Sequence, residues 1–271
     1  MAPVLKQSIK VAAAAADTVR RDVGGITILI YHRVGAGAGG EMDLDPDVFD
    51  RQLGWLRTHH RVLSLDDAIA ELDGSAGASS ERDGVVLTFD DGTADWRDHV
   101  LPALERHEVP ATFYVATNFV EEQLHFPGGG QPISWSALGE LAASPLATIG
   151  SHTDRHVLLD RLDEAEIDAE LDRSIELLRD RIGVDPQHFC YPKAVAGSPA
   201  ADAAIRRRFA SAVLAGTRPN QGGCDLFRLT RSPVQRSDDM RWFRRKADGG
   251  MRLEDDLRRR VNEVRYRGAT T

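Results

Sequence analysis

A chain of 271 residues with 42% hydrophobic and 28% charged side chains has the make-up of a folded globular protein. With 24 glycines and two cysteines it is neither collagen-like nor a disulfide-stapled miniprotein. Its net charge of −8 argues against a nucleic-acid binder, whose phosphate contacts require a basic face. Cys190 and Cys224 read as separate thiols, and no run approaches the roughly 18 apolar residues of a membrane span.

The N-terminus carries Lys6 and Lys10, then an apolar stretch from Val11 to Ala16 that Asp17, Arg20, Arg21 and Asp22 close off. That stretch is short and weak for a secretory signal, so residues 1–24 are expected to be a short amphipathic or frayed helix or a tail, and the location cytoplasmic. From Gly25 onward, short β-branched runs alternate with helical patterns. Strands are expected over Ile26–His32, Val85–Asp90, Ala111–Ala116, Ala147–Gly150, His188–Tyr191, Ser211–Leu214 and Phe227–Leu229. Helices are expected over Asp47–His59, Leu65–Leu72, Asp98–Arg106, Ser136–Ala143, Asp163–Ile182 and Ala200–Phe209. This alternation implies parallel βαβ units. In the longest helix, Ile167, Leu171, Ile175 and Leu178 recur at near-helical spacing, Asp163 and Glu166 form a start signal, and Gly183 supplies a left-handed cap. Gly35–Gly40, Gly74–Ser80 and Gly128–Gly130 read as loops without phosphate-loop spacing. Residues 25–240 therefore read as one domain, followed by a basic helical segment over 241–271. From Leu226 to Thr271 there are 13 Lys and Arg against 7 Asp and Glu. Such an end is either a solvated arginine-rich helix or a surface that favours an anionic membrane or substrate.

Two constellations carry chemistry. In Thr88-Phe89-Asp90-Asp91-Gly92 an apolar strand runs into two carboxylates, at the strand end that faces the functional rim of a β/α fold. The plainer alternative is that one of the pair caps the next helix. In Ser151-His152-Thr153-Asp154-Arg155-His156 two imidazoles follow another strand. Two histidines and a carboxylate from a second strand make a three-ligand site with open positions, the composition of a hydrolytic metal centre.

Together these motifs resemble those of the polysaccharide deacetylases of the NodB-homology group, carbohydrate esterase family 4. Leu29-Ile30-Tyr31-His32-Arg33-Val34, Ala111-Thr112-Phe113-Tyr114-Val115 and Phe189-Cys190-Tyr191-Pro192 extend the likeness, which is to the branch with an N-terminal Tyr-His motif. The resemblance implies a deformed (β/α) barrel of seven strands. It also implies a divalent metal (zinc, with cobalt or nickel as alternatives) on Asp91, His152 and His156, and Asp90 as general base. The N–H of Lys193 would be an oxyanion donor. Two features of the family pattern are absent: Cys190-Tyr191-Pro192 contains no arginine, and no histidine follows His188. Arg231 is the candidate for the base-orienting arginine, against a surface salt bridge, and His32 the candidate general acid, against a plain rim histidine. Trp135 and Tyr191 are candidate walls for a sugar ring, against plain core residues.

The implied function is metal-dependent hydrolysis of the N-acetyl group of an amino sugar in a polysaccharide, oligosaccharide or lipid-linked glycan precursor, with release of acetate. The basic end would then meet a membrane surface or a diphosphate. The alternatives are a cytosolic hydrolase of small or cyclic non-sugar amides on the same fold and a non-catalytic carbohydrate-binding barrel.

Overall fold

The computed structural model describes residues 10–15, 17, 24–75 and 83–266. Seven strands line up: β1 (Ile26–Tyr31), β2 (Gly84–Asp91), β3 (Ala111–Val115), β4 (Ala147–Ser151), β5 (His188–Cys190), β6 (Ser211–Val213) and β7 (Arg231–Pro233). They pair in the order β7-β1-β2-β3-β4-β5-β6, every pairing parallel. The ends of this path nearly meet, because Val213 bridges to Leu229 and the Gly216 N–H donates to the Arg231 carbonyl at 2.8 Å. The fold is a deformed (β/α) barrel with its helices outside. A two-residue strand, Arg61–Val62, adds to the start of β2.

The period-2 alternation of β2 explains which side chains meet. Val85, Leu87 and Phe89 pack beneath the helices with Leu29, Tyr31, Phe49, Trp96 and Phe113. Val86 joins Ile26, Ile28, Tyr114, Cys190, Val213 and Leu229 in a second core. Thr88 and Asp90 continue the phase of Val86, so the barrel interior becomes polar as it nears the carboxyl ends of the strands.

The helices expected from the sequence are present within a residue or two, and the Leu65–Leu72 helix matches at both ends. The Asp163 capping box and the left-handed Gly183 cap both form on Glu164–Ile182. The helix expected over Asp98–Arg106 begins earlier, as a π-turn over Trp96–Val100 that continues into Leu101–His107. Pro102, lacking an N–H, removes an ordinary helical bond there and accommodates the wider turn.

The expected strand Phe227–Leu229 is corrected. Leu229 makes an isolated bridge, and the strand that pairs with β1 is Arg231–Pro233. Its residues do not read as a strand because the position that enters the barrel is an arginine, which breaks the apolar alternation.

The helical residues 10–15 are docked rather than frayed: Ala13 and Ala14 pack against Trp242 and Met251. Lys10 Nζ lies 2.6 Å from Asp238 Oδ1, and Lys246 Nζ lies 2.7 Å from Asp238 Oδ2, all three side chains being buried. Lys6, Arg20, Arg21, Asp22, residues 76–80 of the Gly74–Ser80 loop and residues 267–271 lie outside the described residues. Among those described, no helix is long and apolar enough to cross a membrane.

Burial pushes the Asp238 carboxyl up, but the two ammonium groups hold it below its ordinary value. Its contribution to stability is therefore complete above an unfolded-state pKa of about 4 and is lost as pH falls towards the folded-state value. Asp238→Ala strands two buried cations, and urea unfolding at neutral pH is expected to show a loss of about 3–5 kcal/mol.

Candidate active site

Asp90 ends the inward-facing row of β2 and meets Arg231, which rises from β7 on the other side of β1. The two groups form a fork, with Nη1 to Oδ1 at 2.6 Å and Nη2 to Oδ2 at 2.7 Å. The remaining guanidinium donors are also engaged. Nη1 reaches Thr88 Oγ1 at 2.9 Å, Nη2 reaches Cys190 Sγ at 2.9 Å, and Nε reaches the Leu214 carbonyl at 3.1 Å. An arginine has five N–H donors, and here each has an acceptor. The guanidinium also stands 5.3 Å from the Tyr114 ring centroid. That ring needs Gly150, where a Cβ would fall 2.6 Å from Tyr114 Cδ1.

Burial opposes ionisation of Asp90, but the charge of Arg231 reverses the balance and holds the carboxyl well below its usual range. The positive charges of His152 and His32, when protonated, act on Asp90 in the same direction. Cys190 is affected oppositely, since burial raises its thiol well above the ordinary value even beside Arg231. Its S–H faces Asp90 Oδ2 at 3.5 Å.

Alternation alone would send Asp91 to the helix side. Instead the backbone leaves the strand at Asp91 with φ of 91°, and the carboxylate stands with His152 and His156, their ligand atoms all within 4.8 Å of one another. His152 Nδ1 lies 2.8 Å from the Cys190 carbonyl, which can only accept, so Nδ1 carries the proton and Nε2 keeps its lone pair. Burial depresses the basicity of both rings, with His156 brought down to about 4 by burial and by its neighbour His152. Neutral imidazoles beside a carboxylate suit a divalent cation. A second trio, Asp90, His152 and Cys190, also has its ligand atoms within 4.8 Å. Left-handed φ values recur at these strand ends, at Thr153 (62°), His156 (58°), Lys193 (54°) and Ala194 (56°). Non-glycine residues hold such values only where the surroundings impose them.

His32 follows β1, half-buried, and its carbonyl accepts from Trp96 Nε1 at 2.8 Å. Lys193 follows Pro192 directly after β5, and its side-chain charge acts on His156. Two expected substrate walls are corrected. Tyr191 is 1% exposed, packs with Phe189, Phe209 and Ile205, and points its hydroxyl at Asp202. Burial pushes that hydroxyl up to about 12. Trp135 packs on the outer core beneath the helices and donates its indole N–H to Glu121 at 2.7 Å, a carboxylate that also pairs with Arg181. In both cases an aromatic residue near a motif serves the layer outside the barrel.

Three side chains of this cluster are not singled out as site residues by the sequence reading: Thr88, Cys190 and Arg33. The phase of β2 would have found Thr88, two residues before Asp90. Arg33, 2% exposed, sets Nη2 3.5 Å from Asp91 Oδ2, and its place right after Tyr31-His32 was the available sign.

A family model described as polysaccharide deacetylase matches residues 77–207. Over that span, a little under half of the chain, the sequence resembles that of the polysaccharide deacetylase family. Asp90, Asp91, His152, His156 and Lys193 lie inside the matched span, and His32 and Arg231 lie outside it. Among solved structures, IcaB from Ammonifex degensii is 25% identical, covering 84% of this chain and 98% of that one with a TM-score of 0.72. The Streptococcus pyogenes deacetylase PplD shares the fold at 21% identity, over 80% and 94% of the two chains with a TM-score of 0.67. An uncharacterized Bacillus subtilis protein, YlxY, is 28% identical over 98 residues, which is 36% of this chain and only 27% of that relative. The deacetylase family is one of hydrolases acting on carbohydrate N-acetyl groups.

In the wild-type protein the Asp90 carboxyl is expected to stay ionised through the mildly acid range. In Arg231→Met, burial is unopposed by the fork, and the same carboxyl should titrate above the ordinary value of about 4. Carbon-detected NMR titration of the two proteins checks this, and an unmoved titration would mean that other charges hold Asp90 down.

Proposed function

We propose that the protein is a metal-dependent deacetylase that hydrolyses the N-acetyl group of an amino sugar in a glycan, releasing acetate and a free amine. The observation that carries this reading is the separation of two adjacent carboxylates. Asp90 is forked by Arg231, while Asp91 stands with two neutral imidazoles. A hydrolytic centre needs both a ligand carboxylate and one that is not used in ligation.

Asp91, His152 and His156 would hold the cation, zinc by the preference of a two-histidine, one-carboxylate set, with cobalt or nickel as alternatives. When bound, it would polarise the amide carbonyl and make the attacking water more acidic. Asp90 and Cys190 are less suited to ligation, the first because Arg231 occupies both its oxygens, the second because its sulfur already accepts from Arg231 Nη2 and faces Asp90 Oδ2.

Asp90 takes the proton of the attacking water. A carboxylate with so low a pKa is a weak base, so the fork's value lies in aim and in keeping Asp90 ionised at every working pH. The backbone N–H of Lys193 donates to the oxyanion as the carbonyl carbon becomes tetrahedral. His32 delivers a proton to the departing nitrogen, which would otherwise leave as a poor amide anion.

The substrate is an N-acetylated amino-sugar glycan, as the family description supports. Leu253, Leu257 and Val261 lie exposed at four-residue spacing on the helix Arg252–Tyr266, beside Arg252 and Arg260, which supports a lipid-linked form. Sedimentation with phosphatidylglycerol vesicles, reduced in Leu257→Asp, would bear this out.

Acetate release from N-acetylglucosamine oligomers, measured with metal content, tests the main reading. Asp90→Asn should keep its metal and lose about 10²–10⁴-fold in turnover, whereas His156→Ala should lose the metal. Equal metal loss in both would make Asp90 a ligand and overturn the assignment.

His32→Ala should retain metal and lose turnover on the N-acetyl substrate far more than on an ester analogue, whose alkoxide leaves with less help. Near wild-type cleavage of the amide by that variant would place the acid elsewhere.

A further inference from the structure

Two buried arginines approach the carboxylate pair, and they are used very differently. Arg231 has an acceptor for every N–H. Among the described residues, Arg33, with its side chain 2% exposed, meets Asp91 Oδ2 at 3.5 Å, and its Nε is buried without a partner. The other oxygen of Asp91, Oδ1, faces the histidines, 3.9 Å from His156 Nε2. The carboxylate is thus divided between a guanidinium on one side and the imidazole pair on the other. It is carried by a residue whose φ of 91° is held only by its surroundings.

What seats Arg33 is the glycine loop over Gly128–Gly130. At Gly130, φ 104°, a Cβ would stand 2.7 Å from Arg33 Nε and 3.0 Å from Thr93 Cγ2. Only a residue without a Cβ lets the guanidinium lie there. The loop is itself tied to the end of β2, because Ala94 N–H donates to the Gln131 carbonyl and Ile133 N–H to the Gly92 carbonyl, each at 2.9 Å. Gly130, Arg33 and Asp91 therefore form one chain of contacts from loop to site.

We propose that Arg33 is a positioning residue for Asp91: seated against Gly130, it holds Oδ2 and leaves Oδ1 as the single oxygen presented to the space beside His152 and His156. The inference rests on the reading that Asp91, His152 and His156 hold a divalent cation. A guanidinium in this place also repels a cation, so the sign of its effect is diagnostic. Positioning makes removal of Arg33 weaken metal binding, whereas simple repulsion makes removal tighten it.

The test is zinc affinity of the metal-free protein, measured by competition with a chromophoric chelator, with no turnover involved. Arg33→Met is expected to weaken binding by about 10- to 100-fold, the range typical of groups that orient a metal ligand. Arg33→Lys, which keeps the charge and loses the planar fork, should weaken it less. Gly130→Ala, which leaves Arg33 in the sequence and displaces it by a Cβ, should weaken it in the same direction. Thermal unfolding of each metal-free variant establishes that it is folded, and the lysine and alanine variants decide the matter if the methionine variant is not. Zinc bound by the wild type and lost in His156→Ala, yet unchanged or tighter in the Arg33 and Gly130 variants, overturns this inference alone. A wild-type protein that binds no zinc overturns the metal reading as well.

Discussion

A guanidinium with all five donors engaged, buried inside a nearly closed barrel, is the constraint on which the rest of the site depends. Arg231 fixes both oxygens of Asp90, draws in Thr88 and Cys190, and is itself fixed to the Leu214 carbonyl. A buried charge pair of this kind is costly to assemble and far costlier to half-remove, because each partner alone would be an uncompensated charge in a low-dielectric interior. The barrel supplies what makes it tolerable: complete hydrogen bonding, and an aromatic face from Tyr114 that exists only because position 150 is glycine. The result is a carboxylate whose ionised form is favoured and whose two oxygens are both bonded, beside a second carboxylate that the same strand end turns in a different direction.

The division between Asp90 and Asp91 is a backbone effect as much as an electrostatic one. Consecutive residues of a strand face opposite ways, so a carboxylate pair at adjacent positions cannot meet one site without a break in the strand. Here the break is the left-handed φ of Asp91. Further left-handed residues at Thr153, His156, Lys193 and Ala194 show the same pattern at neighbouring strand ends. Strain gathers where side chains must be re-aimed, and the hydrogen bonds and packing around it sustain it. At the outer edge, the buried Lys10–Asp238–Lys246 group ties the segment that follows β7 to both the N-terminal helical residues and the helix Met240–Ala247.

Much of this was legible in the sequence, for physical reasons that differ from part to part. The β/α alternation was plain because each strand is short, apolar and bounded by helices with clear caps. Asp90, Asp91, His152 and His156 stood out because polar residues directly after an apolar strand have few structural uses. Arg231 could be named as a partner for Asp90, yet its strand could not be read, since the residue that enters the barrel is the charged one. Adjacency to a motif says nothing about phase: the Tyr191 ring is buried with Phe189 and Phe209, and Trp135 packs against the core under the helices. Arg33 and Lys10 were illegible as buried groups, because the carboxylates that bury them, Asp91 and Asp238, lie 58 and 228 residues away.

The central claim is that the Arg231 fork withdraws Asp90 and Cys190 from metal binding and so leaves the task to Asp91 with the two histidines. The two trios share His152 and differ in chemistry, since one contains a sulfur. Zinc K-edge X-ray absorption on the zinc-loaded wild-type protein separates them directly. The account predicts a first shell of nitrogen and oxygen alone, at about 2.0–2.2 Å. A zinc–sulfur distance of about 2.3 Å would make Cys190 a ligand and contradict it.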